Sequence, residues 1–256
     1  GYHALKTNNG GHNNTAVGYE ALKANTNAAS ITAVGYGALK SNTTGAENTA
    51  VGANSLDALT TAAYTTALGY DAGTAITTGE GNTCIGQNAL RSLTTADNNV
   101  AIGRGAMAAN LTSAGNTAVG KGALEDLQSA AGHNSAFGFN AMMDCTVGIH
   151  NTGIGQGGLY TLTTGEWNIG IGRNAITSAV DVDGECILGQ GNISNLRCND
   201  TSISSLSDER DKTNIVDIPL GLGFINTIRP VAFDWNRRDG IVNANKTKDF
   251  GFIAQE

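Results

Sequence analysis

Few residues in this chain of 256 combine a type and a spacing that could do chemistry. Cys84, Cys145, Cys186 and Cys198 show no CxxC spacing and lie far apart, which favours reduced, buried or semi-buried thiols over a disulfide framework or a zinc site. His3, His12, His133 and His150 read as surface or turn histidines that share no repeat position, and no metal site is expected. Asp181-Val182-Asp183-Gly184-Glu185 has part of a calcium loop without the rest and reads as an acidic turn. Gly153-x-Gly155-x-Gly157 imitates a phosphate-binding loop, but the repeat described below generates it, and no cofactor is expected. The string Ser207-Asp208-Glu209-Arg210-Asp211-Lys212 places an amine five residues after a hydroxyl. Taken alone, it reads as a solvated helix start with Ser207 as N-cap and Lys212 in water.

The elements that must position these residues are written in a repeat. An anchor glycine returns at Gly1, Gly18, Gly35, Gly52, Gly69, Gly86, Gly103, Gly120, Gly138, Gly155, Gly172 and Gly189, ten of the eleven intervals being 17 residues and one 18. The residue before the anchor is large and apolar, from Val17 and Val34 to Ile171 and Leu188. The fourth residue after it is again apolar, as in Leu22, Leu39, Leu90 and Leu124, with Gly73 the exception. These two columns are expected to form the core. Two before the anchor stands a small residue such as Ala33, Ala50 or Ala118; side chains alternate across a strand, so this small face opposes the Val/Ile face and is expected to admit a neighbouring backbone.

Four before the anchor, Asn14, Asn48, Asn82, Asn99, Asn116, Asn134, Asn151 and Asn168 predict an amide ladder once the coils stack. Gly or Asn two after the anchor predicts a turn with positive φ. Seventeen residues are too many for a heptad and too few for a helical hairpin; two strands of about five residues with turns fill the period. The expected fold is all-β: a trimeric parallel β-roll, or β-solenoid, of about twelve coils forming a rod of roughly 53 Å. Two large side chains per coil are little against the ordering of seventeen residues, so partner chains are expected on the small face. Tyr2, Tyr19, Tyr36 and Tyr70 follow the anchor and are expected to pack on a neighbouring coil or chain rather than to contact carbohydrate. An ice-binding role for Thr15, Thr32 and their equivalents would need a flat exposed face and is set aside.

The stretches Asn14 to Leu22 and Asn116 to Leu124, of NTAVGxxAL type, resemble the short-repeat heads of trimeric autotransporter adhesins and similar shafts of phage tail fibres. That resemblance implies three parallel rolls about one axis. It covers residues 1–193, which carry 31 of the 35 Gly, neither Pro and 20 charged side chains. Residues 194–256 hold 17 charges with Pro219 and Pro230, a composition step that marks a domain boundary, with 194–206 as an extended linker. In the second segment, Leu220 to Ile228 suggests a helix ended by Pro230, and Val231 to Trp235 and Phe250 to Ala254 suggest strands.

Three motifs, S-D-x-R-x-K-x-N-I, R-P-V-x-F-x-W and G-F-I-A-Q-E, stand in order within Ser207 to Glu256. Together they closely resemble the C-terminal intramolecular chaperone of endosialidases and other phage tail spikes and fibres. The resemblance implies a small α+β module over 207–256, incomplete at Glu256, that assists trimer assembly and then releases itself as a serine peptidase. It maps the family's Ser and Lys onto Ser207 and Lys212, the cleaved bond onto Ser207-Asp208, and structural roles onto Arg210 and Asn214. Such a pair makes chemical sense, since a lysine whose pKa is lowered by burial can take the hydroxyl proton without histidine. Attack by Ser207 on its own carbonyl would need a strained small ring, and an N-to-O acyl shift would break the bond before Ser207. The attacking atom, in the same chain or a neighbouring one, stays open.

The combined expectation is the distal shaft of a bacteriophage tail fibre, a homotrimer joined to upstream fibre or tail proteins, assembled in the host cytoplasm and carried on the virion. A chain that begins mid-repeat is expected to be a fragment. A host cell-surface glycan or protein is the expected receptor. No activity on external substrates is expected, because the repeat has no convergent carboxylate pair for glycoside hydrolysis. The alternatives are a cell-surface trimeric adhesin, or the shaft of a glycan-degrading tailspike whose enzyme domain is not in this chain. A net charge of −7 argues against nucleic acid, and no apolar run is long enough to insert in a membrane.

Overall fold

The computed structural model describes residues 1–128, 132–189, 193, 231–233 and 249–251. The chain divides into two units, Gly1–Leu196 and Arg197–Glu256. The first is a parallel β-solenoid, and no helix occurs among the described residues. Each coil adds one three-residue strand, from β1 (Thr15–Val17) to β11 (Cys186–Leu188), to an eleven-stranded sheet in sequence order. Register follows the period: Thr15 pairs with Thr32 and Ala16 with Ala33, while the longer interval pairs Thr117 with Ser135. Ten steps between strands give a stack of roughly 48 Å.

The strands face opposite to expectation. The small column lies inside, with Ala33, Ala50, Ala67, Ala101 and Ala118 fully buried. The Val/Ile column lies outside, Val17 being 56% and Leu68 48% exposed. The physical reason is the width of the coil. The Leu column fills the interior from the other side, so only a small residue fits beneath the strand. Where the inward residue is glycine, its neighbours have already taken the space: a Cβ at Gly153 would stand 2.7 Å from Met142 Cγ, and one at Gly170 2.5 Å from Leu159 Cδ2. The small face is therefore closed by the chain's own interior and is not a surface for another chain.

The second strand of each coil is replaced by turn structure. Its central residue is buried in the left-handed region, at φ 53° for Leu22, 50° for Leu39 and 50° for Leu90. That conformation costs a branched side chain about 1–2 kcal/mol, which burying the Leu offsets at about 1.5–3 kcal/mol. Its backbone remains paired across coils, Leu90 N–H donating to the Ala106 carbonyl at 3.0 Å. Gly73 is the one glycine in this column, at φ 61°, and Ile76 Cδ1 lies 3.1 Å from where its Cβ would be. Ile76 belongs to a third interior column, missed in the sequence, that runs Asn25, Asn42, Leu59, Ile76, Leu93, Asn110, Leu127, Cys145 and Leu162, all fully buried.

The amide ladder is present. Asn99, Asn116, Asn134, Asn151 and Asn168 each donate from Nδ2 to the Oδ1 of the Asn one coil earlier, at 3.1–3.3 Å. The same Oδ1 accepts the next coil's backbone N–H, as from Asn116 to Asn99 at 3.0 Å. A second ladder runs through threonine, Thr26, Thr43, Thr60 and Thr77 each donating from Oγ1 to the carbonyl one coil on, at 3.0–3.1 Å. Buried polar groups must be paired, and here the repeat itself supplies the partner.

Candidate functional site

The residues singled out for self-cleavage, Ser207, Asp208, Arg210, Lys212 and Asn214, lie outside the described residues, as does the helix expected over Leu220 to Ile228. Of the second unit the structure describes an antiparallel pair, β12 (Val231–Phe233) and β13 (Asp249–Gly251), with Val231 opposite Gly251 and Phe233 opposite Asp249. The pair joins the R-P-V-x-F-x-W motif to the start of the last one. Both strands begin close to where alternation places them, and Trp235 and Ala254 fall outside what is described.

On the solenoid, the outward strand face is the main exposed apolar feature. Val17, Leu68, Phe137, Ile154, Ile171 and Leu188 are 39–56% exposed, and the intervening members of the column are half-buried. Each is one coil from the next through the strand register, so they form a stripe along the rod. Three of the four tyrosines pack on neighbouring coils as expected, Tyr2 on Tyr19 with centroids 5.6 Å apart and Tyr19 on Tyr36 at 5.2 Å, whereas Tyr70, flanked by Ala53 and Gln87 on the adjoining coils, has no ring neighbour among the described residues.

The histidines correct the sequence reading. His133 and His150 do share a column, five before the anchor, and stack at 5.3 Å; His150 in turn stacks on Trp167 at 4.0 Å. Their interval of 17 was the signal that could have revealed it. All three have positive φ, which turns the side chain outward at the corner of the coil. Near the first coil, Lys23 Nζ donates to Glu20 Oε1 at 2.6 Å, which holds the Glu20 carboxyl below its usual range and the Lys23 amine above it.

Burial pushes the Cys84 thiol up to about 12 and the Cys145 thiol up to about 11, so neither is a nucleophile at neutral pH. Cys186, expected to be buried or semi-buried, is exposed because it takes an outward strand position. The acidic turn is a turn: Asp183 Oδ1 accepts the Glu166 N–H at 2.7 Å and Glu185 Oε2 that of Ser178 at 2.8 Å. Gly153, Gly155 and Gly157 are an inward strand residue, an anchor and a turn glycine, so their spacing is the coil's. Among the described residues no three His, Cys, Asp or Glu side chains gather as metal ligands.

Neither the curated proteins nor the solved structures contain a match to this chain. Residues 207–256, one fifth of the sequence, match the family described as Chaperone of endosialidase. That match, behind a parallel β-solenoid of 17-residue coils, supports a protein of the phage tail fibre or tailspike type.

Proposed function

We propose that the chain is a host-attachment shaft of a phage tail fibre, built as a homotrimer and released from its own chaperone by cleavage between Ser207 and Asp208. The observation that carries the reading is the chaperone match over 207–256 directly behind an unbroken eleven-strand solenoid. A chaperone is of use where a fold is hard to reach, and parallel sheets form slowly because each connection must close before its pairing stabilises it. The exposed Val/Ile stripe supports association of chains through the outward strand face, since continuous apolar surface of this kind marks an interaction site. In this reading the Ser207 hydroxyl of one chain attacks the Ser207-Asp208 carbonyl of a neighbouring chain, which avoids the strained ring. Lys212 takes its proton and passes it to the leaving Asp208 amine, water then hydrolyses the ester, and Arg210 and Asn214 hold the segment in place. The test is expression of Ser207→Ala and Lys212→Ala beside the wild type on a denaturing gel. Each variant is expected to stay full length while the wild type yields two pieces. Unchanged release of the piece that begins at Asp208 from either variant would remove that residue from the cleavage chemistry.

A further inference from the structure

The side chains one and five residues after the anchor form the walls of a trough, and the short Gly and Asn residues two after the anchor form its floor. Between Gln87 and Met143 this trough opens into a groove of about 400 Å³. It continues past Asn140 and Met143 into a second concavity of about 160 Å³ that ends at Asn174. The two together follow six successive coils, or roughly 24 Å of the rod.

The chemistry of this trough changes along its length. Arg91, Arg104 and Lys121 line the first part, with Glu125 the one carboxylate among its lining residues. Over residues 1–193 there are 13 acidic and 7 basic side chains, so three of seven cations meet in one groove of an acidic rod. Of the four other cations, Lys23 meets Glu20 at 2.6 Å and Lys40 meets Asp57 at 3.6 Å, whereas Lys6 and Arg173 have no carboxylate within 4.0 Å among the described residues. Among the described residues, no carboxylate lies within 4.0 Å of Arg91, Arg104 or Lys121. Arg104 and Lys121 occupy the same column on adjacent coils, an arrangement of like charges that favours an anion between them. On the floor, the Asn88, Asn140 and Asn174 amides make no side-chain hydrogen bond among the described residues. The second part is walled by Tyr160 and by Phe139, over whose ring Lys121 Nζ lies at 5.1 Å from the centroid.

Sparse cations, unpaired amides and two aromatic rings in a line match a ligand with spaced anionic groups, many hydroxyls and apolar ring faces. We propose that this trough binds a linear acidic oligosaccharide, its anionic groups held by Arg91, Arg104 and Lys121, the last seated over Phe139, and a sugar face resting on Tyr160. Guanidinium groups hold carboxylate, sulfate or phosphate in a planar fork, and an amine adds a point charge. A polymer with a charge on every unit suits the trough less well, because no cation stands in the wall columns between Lys121 and Arg173 and the rod around it is acidic. The proposal rests on the attachment reading above, but its test leaves assembly and cleavage to be scored separately.

The experiment is calorimetric titration of the full chain with a hyaluronan oligosaccharide, which carries a carboxylate on alternate sugars, a keratan sulfate oligosaccharide sulfated only on its N-acetylglucosamine units, a malto-oligosaccharide and a single-stranded oligodeoxynucleotide, at low and high salt. At least one of the two acidic sugars is expected to bind, about tenfold or more tighter than the neutral one and more weakly at high salt. Which of them binds tighter identifies the anion as carboxylate or sulfate. The double variant Arg104→Gln with Lys121→Gln is expected to lose at least about tenfold in affinity with its native mass unchanged, and Tyr160→Ala to weaken binding as well. Binding of neither acidic sugar, equal binding of the neutral sugar, tighter binding of the oligodeoxynucleotide, or an unaltered double variant would each overturn the proposal.

Discussion

The anchor glycine is fixed by two independent constraints at one atom. At Gly103 the backbone has φ 134°, and an added Cβ would press on the Gly120 carbonyl of the next coil, with Lys121 N at 3.0 Å. Gly184 has φ 70° and nothing within 4 Å of the same position. Gly103→Ala is therefore expected to cost at least about 3 kcal/mol in urea unfolding, and Gly184→Ala only about 1–2 kcal/mol for the backbone strain. Equal losses would show that the contact between anchors does not matter. The buried thiol of Cys84 makes a pH prediction. Its folded pKa is raised from 9.0 to about 12, so the folded state keeps a proton that the unfolded state gives up. The associated stability is fully present below pH 9 and is lost as pH rises from there toward 12, at about 1.4 kcal/mol per unit. Cys84→Ala fits the inward column and is expected to flatten this part of the profile in thermal melts. An alkaline slope identical to the wild type would contradict the assignment.

One coil is a unit that cannot satisfy itself. Asn25, Asn42 and Asn110 bond three residues on within their own coil, but the Asn four before the anchor and the Thr of the second ladder find partners one period away, so each ladder gains with every coil added. Asn116 sits mid-ladder, bonded to Asn99 below and Asn134 above. Asn116→Leu would leave the Asn134 N–H and amide without their acceptor in a buried site, and a loss of about 3 kcal/mol or more is expected in denaturant unfolding. A neutral effect would mean that the ladder is incidental to the Leu-lined interior. Much of the coil was legible in the sequence: the period, the Asn ladder, the Leu column and the turn glycines all follow from residue type at fixed spacing. Which strand face points inward was not. Alternation separates Ala101 from Ile102 but does not say which is inside, and the answer depends on how far Met107 and Leu124 reach across the coil. The inward Leu at positive φ was hidden for the same reason, since propensity alone assigns such a residue to a strand. The cleavage segment was legible only as a motif, and Ser207 and Lys212 have no described geometry to compare with it.

At the scale of the molecule, the reversal of faces moves the expected contact between chains. The surface left to partners is the outward strand column, where Ile102, Ile154 and their equivalents are at least partly exposed while Ala101 beneath is sealed. Ile102→Asp with Ile154→Asp is expected to leave the β-sheet circular dichroism intact and to lower the native mass, because neither side chain fills the interior of its own coil. Loss of the fold would instead place this column in the core. The central claim, a self-releasing trimeric shaft, is tested most directly by native and denatured mass spectrometry of one wild-type preparation. The account predicts a native assembly of three chains whose denatured subunit ends at Ser207. A native mass of one chain, or a trimer in which no subunit ends at Ser207 after complete folding, would contradict it.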